Sequence, residues 1–367
     1  MTQFLAQLWD VLTRRIDSFL LGVALSIAGV GLITLFSASD QSLARLTSQA
    51  ASLAFALMLM WIVANIPPQT IARVAVPLYV VGVALLLGVA LMGVTVNGSR
   101  RWLNLGFGRF QPSELMKIAL PLMLAWYFQK FEGRIGWRDF FVAGILIAVP
   151  VYLIKRQPDL GTSLLIAASG FYVLYLAGLS WKVIVGLVAA ASAVAPLVWQ
   201  HLHGYQRERL LTFVDPTRDP LGTGYHSSQA SIALGSGGLV GKGWLNGTQT
   251  HLDFLPERHT DFIFAVFGEE FGLIGNTVLV VLYLLLIGRG MMITASASTL
   301  FGRLIAGAVT LMFFTYAFVN MAMVSGLLPI VGVPLPLVSF GGTALVSLFI
   351  GLGILMSVHS HRRLVQT

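Results

Sequence analysis

Asp261 closes the run Phe254-Leu-Pro-Glu-Arg-His-Thr-Asp261, where a polar turn meets a long apolar stretch. A carboxylate in the first turn of a spanning helix, at a water–lipid boundary, can act as a general base if a reacting hydroxyl comes within hydrogen-bond reach. The same position also suits an ordinary helix N-terminal acid favoured by the macrodipole. His259 is a second candidate proton acceptor, because an unperturbed imidazole titrates near neutrality; a loop histidine serves equally well as a plain hydrogen-bonding group. Glu114 and Lys117 follow Pro112 and lie three apart, so they share a face at the start of a helix. That pair is either structural or the holder of an anionic substrate.

Glu269 and Glu270 lie about 12–14 Å beyond Asp261 along a helix, too far to share a small site with it. Charge at the centre of a bilayer costs about 2.5–3.5 kcal/mol per residue even on lenient scales. One of the two is therefore expected to pair with a cation from a neighbouring span, with Lys117 as a candidate, or to stay protonated through burial. Lys155-Arg-Gln-Pro-Asp159-Leu-Gly-Thr162 forms another charged corner. Gly326 to Gly342 holds Pro329, Pro334, Pro336 and no charge, which fits a re-entrant, substrate-lining turn. Gly235-Ser-Gly-Gly-Leu-Val-Gly241-Lys242-Gly243 lacks the spacing and the strand–turn–helix setting of a dinucleotide fingerprint. Its glycines either bring backbone N–H groups to a phosphate or make tight turns. There is no HExxH and no paired-aspartate motif, and His201 and His203 are a weak signal, so no metal ligand is assigned. A divalent cation (Mg2+ or Mn2+) bridging a diphosphate to an acid needs no motif. The absence of a Gly-x-Ser-x-Gly elbow disfavours a serine hydrolase.

Apolar spans must hold these groups. The 367 residues are 56% hydrophobic and only 10% charged, with mean hydropathy +0.82, against about 25% charged in a soluble domain. The fold class is all-α, a polytopic membrane protein read as a single domain over residues 1–367. Cysteine is absent, which removes disulfides and thiolate metal sites. The net charge of +8 is spread through loops without a nucleic-acid module, so it points to anionic lipid or a phosphate-bearing ligand. Asp10, Arg14, Arg15 and Asp17 in the first 17 residues, with no small-residue cleavage site, argue for a retained first span.

Ten stretches reach spanning length: 18–36, 46–66, 74–94, 113–129, 139–154, 160–179, 183–199, 262–287, 304–325 and 337–358. Pro121, Pro150 and Pro196 are expected to kink the fourth, fifth and seventh. Eleven Lys and Arg on one side against six on the other favour both termini inside. Residues 200–261 are then one long extracytoplasmic connection, with a short amphipathic helix from Ser227 to Leu234. Arg100, Arg101 and Arg109 break the charge rule in the outer loop 95–112, which suggests either an anionic ligand there or anchoring at the membrane surface.

Taken together, seven segments resemble the SEDS family (shape, elongation, division and sporulation). They are Arg109-Phe-Gln-Pro-Ser-Glu114-Leu-Met-Lys117, Gln157-Pro-Asp159-Leu-Gly-Thr162, Tyr205-Gln-Arg207-Glu-Arg209, Asp215-Pro to Gly222, Gly235 to Trp244, Phe254 to Phe262, and Val333-Pro-Leu-Pro-Leu-Val-Ser339-Phe-Gly-Gly342. The resemblance implies a ten-span helical peptidoglycan glycosyltransferase that polymerises lipid II at the outer face of the bacterial cytoplasmic (inner) membrane. It implies that Asp261 is the essential acid and that Glu114 and Lys117 are functional. Arg258 resembles the elongation branch, where the division branch more often has Ala. The chemistry implied is attack of an acceptor sugar hydroxyl on the growing chain, with inversion to a β-1,4 bond and release of undecaprenyl diphosphate. Arg109, Arg101, Lys117, Arg207 and Arg209 are the cations expected to face that diphosphate, with Asp159, Lys242, Arg258 and His259 completing the substrate-binding set. No cofactor is evidently required. The implied partner is a class B penicillin-binding protein, a transpeptidase, expected on the eighth and ninth spans. A lipid II transporter, a division-type polymerase and a scaffold are the competing readings.

Overall fold

The computed structural model describes residues 14–361 apart from 97–98, 105–108, 158, 202–203, 205–206, 209–210, 213–222 and 252–256. Arg209, His203 and part of the 205–222 and 254–256 motifs lie outside the described residues. Helices α1 (Ser18–Ala38), α2 (Leu43–Asn65), α3 (Pro68–Arg73) and α4 (Ala75–Met92) come first. A small antiparallel sheet follows, β1 (Val94–Val96), β2 (Ser99–Asn104) and β3 (Arg109–Phe110). Then come α5 (Pro112–Lys130), α6 (Trp137–Lys155), α7 (Leu160–Leu176) and α8 (Trp181–His201), α9 (Thr223–Ser236) and α10 (Thr248–His251). The chain ends with α11 (Ile263–Ala295), α12 (Leu300–Val324) and α13 (Gly342–Ser360).

Ten of these helices overlie the ten apolar stretches, and seven are long and apolar enough to cross a membrane by length and composition. Helices suit lipid because every backbone bond closes inside the segment. Their starts are set by short polar side chains: Asp17 accepts from the Leu20 N–H at 2.9 Å, Asp159 from Thr162 at 3.0 Å and Thr299 from Gly302 at 3.0 Å. Proline opens α3 and α5. Helices α5, α12 and α13 are largely enclosed, and Tyr316, Phe313 and Phe349 are among the largest fully buried side chains. Close helix approach needs small residues: a Cβ at Gly353 of α13 would lie 2.6 Å from the Met60 carbonyl of α2.

Three features depart from the sequence expectations. Helices α5, α6 and α8 continue through Pro121, Pro150 and Pro196. Among the described residues the helix that breaks is α11, at Gly272 (φ 65°, ψ −163°). Residues 237–243 sit on the break: Leu273 and Ile274 donate to the Gly238 and Leu239 carbonyls at 2.9 and 3.1 Å, and Lys242 and Gly243 donate to the Glu269 and Glu270 carbonyls at 3.0 Å each. The glycine-rich segment thus spends these amides on the helix. Residues 95–112 are not a plain loop, since Val94 to Val96 pair with Trp102 to Ser99, and Leu103 and Asn104 with Phe110 and Arg109. Finally, the last span starts at Gly342 rather than 337, because 325–341 is irregular.

That irregular segment enters the bundle, as a re-entrant turn must. Val333, Leu335, Leu337 and Val338 are buried, and Val338 lies against Gly31 in the middle of α1. Its carbonyls find protein donors: Tyr283 Oη donates to Pro336 at 2.6 Å and Gln49 Nε2 to Ser339 at 3.2 Å. The segment gathers with Asp40, Arg101, Asp159, Arg258 and His259 at one loop-rich end, where Arg101 meets Asp159, Arg258 meets Asp40 and the Phe340 N–H donates to the His259 carbonyl. The opposite end is tied by Asp17, which meets Arg289 of α11 at 2.7 Å and His359 of α13 at 3.6 Å.

Candidate active site

Two clusters meet at the loop-rich end, both against α12. The first is built on α5. Lys117 Nζ lies 2.7 Å from Glu114 Oε1, and Ser347 Oγ of α13 donates to Glu114 Oε2 at 2.9 Å. Both members of the pair are buried. The ammonium also stands 4.8 Å from the centre of the Tyr316 ring. Residues 334–341 cover Lys117 and Tyr316. Asp159, the buried N-cap of α7, pairs with Arg101 of β2 at 3.3 Å.

The second cluster is the turn before α11. Asn320 of α12 donates from Nδ2 to the Asp261 carbonyl at 2.8 Å. The Asp261 carboxylate is half-buried and adjoins Gly332 of the re-entrant segment; a Cβ there would lie 3.4 Å from Oδ2. Val331, the next residue back, lies against Gly161 in the first turn of α7. Residues 331–332 therefore separate Asp261 from the Asp159 corner. Tyr316 and Asn320 are one turn apart on α12 and share a face, so the buried cation and the acidic turn are mounted on one wall.

His259 sits in the same turn with its ring 6.1 Å from that of Phe340. Burial, and then the positive charges of Arg45 and Arg258, hold its imidazole below the usual range against the opposing pull of Glu257. It stays neutral and able to accept a proton. Beside this end, between α2, α5 and α13, runs a groove of about 440 Å³ lined by Ser52, Phe55, Phe110, Leu115, Val346 and Ile350, with Glu114 and Ser347 at its polar edge.

Residues 16–364 match the family of cell cycle proteins described by FtsW, RodA and SpoVE. The chain belongs to this FtsW/RodA/SpoVE family. Peptidoglycan glycosyltransferase MrdB of Escherichia coli strain K12 is 48% identical over 358 residues, 97% of this chain and 96% of the relative. A chain from a peptidoglycan synthase complex, solved to explain how polymerization and crosslinking are coordinated, superposes with a TM-score of 0.83 at 33% identity, covering 95% of this chain and 98% of that one. The Thermus thermophilus rod shape determining protein RodA gives 0.72 at 30% identity, covering 95% and 97%.

Within this FtsW/RodA/SpoVE chain the candidate residues divide. Glu114, Lys117, Asp159, Arg101, His259 and Asp261 gather around α12 and the re-entrant segment. Arg109 lies in β3, one residue before Phe110 of the groove wall. Arg258 instead pairs with Asp40 beyond α1, at 2.5 Å. Arg207 is exposed, 5.1 Å from the Trp199 ring. Lys242 closes on Glu269 at 2.7 Å, where Gln249 N also donates at 3.0 Å. This corrects the expected pairing of Lys117 with a glutamate of α11: Lys117 is taken by Glu114, while Glu269 meets Lys242 and Gln249 and Glu270 meets Ser37. The reason is the break at Gly272, which brings residues 237–249 down to the two acids. Sequence reasoning missed Tyr316, Asn320 and Ser347. Their signal was a hydrogen-bonding side chain inside an apolar span.

Proposed function

We propose that this chain is a peptidoglycan glycosyltransferase of the elongation type. It joins lipid II disaccharides into β-1,4-linked strands at the outer face of the bacterial cytoplasmic membrane. One observation carries the reading: on one wall of α12, Tyr316 faces a buried cation and Asn320 holds the main-chain carbonyl of Asp261, whose carboxylate is half-buried. An inverting transfer from a diphosphate donor needs that pairing of a base with cations opposite the leaving group. The acceptor hydroxyl gives its proton to Asp261 as its oxygen attacks the anomeric carbon. The bond from that carbon to the diphosphate breaks on the opposite face of the sugar. The growing negative charge is met by Arg101 and Arg109, with Lys117 behind them. The groove between α2, α5 and α13 takes a polyprenyl tail and leaves its head beside Glu114 and β3.

A Mg2+ or Mn2+ ion would accompany the diphosphate as part of the substrate. The superposing chain of the synthase complex supports a class B penicillin-binding protein as partner. We place it on the exposed apolar face of α11, which includes Leu273, Val278 and Leu284. Transport of lipid II needs a polar path to the opposite end, and there the Asp17–Arg289 pair ties α1 to α11 at 2.7 Å.

The test is conversion of labelled lipid II into glycan strands by the chain purified with its transpeptidase. Asp261→Asn keeps the shape and removes the base, so polymerisation should fall by at least about 10²-fold. Native rates in a folded Asp261→Asn protein would overturn the assignment.

A further inference from the structure

Three consecutive carbonyls of the acidic turn are held from one side. His259 O accepts from the Phe340 N–H at 2.9 Å, Thr260 O from Ser339 Oγ at 2.7 Å and Asp261 O from Asn320 Nδ2 at 2.8 Å. Ser339 Oγ accepts in turn from the Leu335 N–H at 2.8 Å. Asn320 Nδ2 gives a second bond, to the Val333 carbonyl, at 2.7 Å. One amide nitrogen therefore joins the backbone beneath the proposed base to the residue after Gly332, the wall its carboxylate adjoins.

We infer that Asn320 is a positioning residue for the glycosyl transfer, fixing the gap between the Asp261 carboxylate and the re-entrant segment through which the acceptor hydroxyl must approach. Both groups facing the amide are carbonyls, so only the nitrogen can point at them. Asn320 is fully buried in the apolar run Phe318-Val-Asn320-Met-Ala, where a leucine would suit the span better. Its Oδ1 has no hydrogen-bond partner among the described residues, so what the amide offers is its two donated bonds. Asn320 touches neither substrate nor the reacting atoms. It acts through Asp261, and the inference rests on the reading of Asp261 as base.

The experiment measures lipid II polymerisation by the complex with its transpeptidase for native protein, Asp261→Asn, Asn320→Leu and Asn320→Asp. Asn320→Leu keeps the volume and removes the donor. Displacing a base by an ångström costs up to about 10²-fold, so kcat should fall about 10- to 100-fold with KM for lipid II unchanged. In Asn320→Asp, burial between two carbonyls favours the protonated acid, whose single O–H can donate again to one of them. Its activity relative to native should rise as pH is lowered from about 8 to about 6, while the ratio for Asn320→Leu stays flat. That pH response is read within one folded protein, so it remains decisive if Asn320→Leu is unstable. A native kcat in Asn320→Leu, or a ratio in Asn320→Asp that is flat and as low as that of Asn320→Leu, with Asp261→Asn inactive, overturns the positioning role alone, whereas a flat ratio near one means the acid is protonated and donating throughout. Polymerisation by Asp261→Asn at the native rate overturns the base, and the inference with it.

Discussion

Two glutamate–lysine pairs in this molecule close at the same 2.7 Å and hold different things together. Glu114 and Lys117 lie three apart on α5, so the pair adds no constraint the helix does not already supply. Its surroundings give it a role: Ser347, the Tyr316 ring and residues 334–341 enclose it beside the acidic turn. Glu269 and Lys242 are 27 residues apart, and Lys242 stays 28% exposed. That pair fastens the segment before α11 onto its broken first half. The same two side chains thus make a charged wall when local and buried, and a tether when distant and partly wet. Burial of both charges is expensive and rarely the best way to gain stability, so the buried pair is the one to associate with chemistry.

The largest separation between the pairs should come from Lys117→Met. It leaves Glu114 buried without its cation, and breaking a buried pair costs about 3–5 kcal/mol. Polymerisation should be lost even where detergent-solubilised protein, checked by thermal melting and size-exclusion profile, remains folded. Glu269→Gln should do less. The amide can still receive Thr248 and Gln249, so the expected cost is roughly 1–3 kcal/mol, with polymerisation reduced rather than lost. Hydrogen exchange should quicken in residues 236–249 and stay unchanged around Lys117. Equal loss of activity in the two variants would erase the distinction.

The smallest effect concerns His259, which belongs to neither pair. Its folded pKa is lowered, first by burial and then by Arg45. The unfolded chain therefore binds a proton at higher pH than the folded chain does. The stability this contributes to the neutral form is present above the ordinary imidazole value of about 6.5 and is lost as pH falls below it. Melting temperatures taken from pH 8 to pH 5.5 should drop less in His259→Gln than in native protein.

Much of this was legible in the sequence where one residue type carries one physical cost. Ten apolar runs became ten helices because lipid leaves the backbone no other partner. The prolines and glycines of 326–342 resist a helix and became the re-entrant turn, whose carbonyls are served by Tyr283 and Gln49. Glu114 and Lys117 paired because helical spacing leaves them little choice. What stayed illegible depends on contacts between distant segments. Gly272 looks like any helix glycine until residues 237–243 are seen to supply its neighbours' hydrogen bonds. The sheet of 94–110 is too short and irregular to leave an alternating pattern. Asn320 is one amide in an apolar run, and its two carbonyl partners lie 59 and 13 residues away. Pro121, Pro150 and Pro196 lie inside helices that continue past them, so a proline in an apolar run did not mark a helix end.

The interruption of α11 has a bearing on biogenesis. A helix broken at Gly272 enters lipid with amides that its own turn cannot use, and unpaired amides are not tolerated there. The groups that complete it lie on residues 237–243, which are synthesised about thirty positions earlier. The glycine-rich segment and the apolar run therefore complete one another, and a cut or a graft made between them would separate the Leu273 and Ile274 amides from the carbonyls of Gly238 and Leu239.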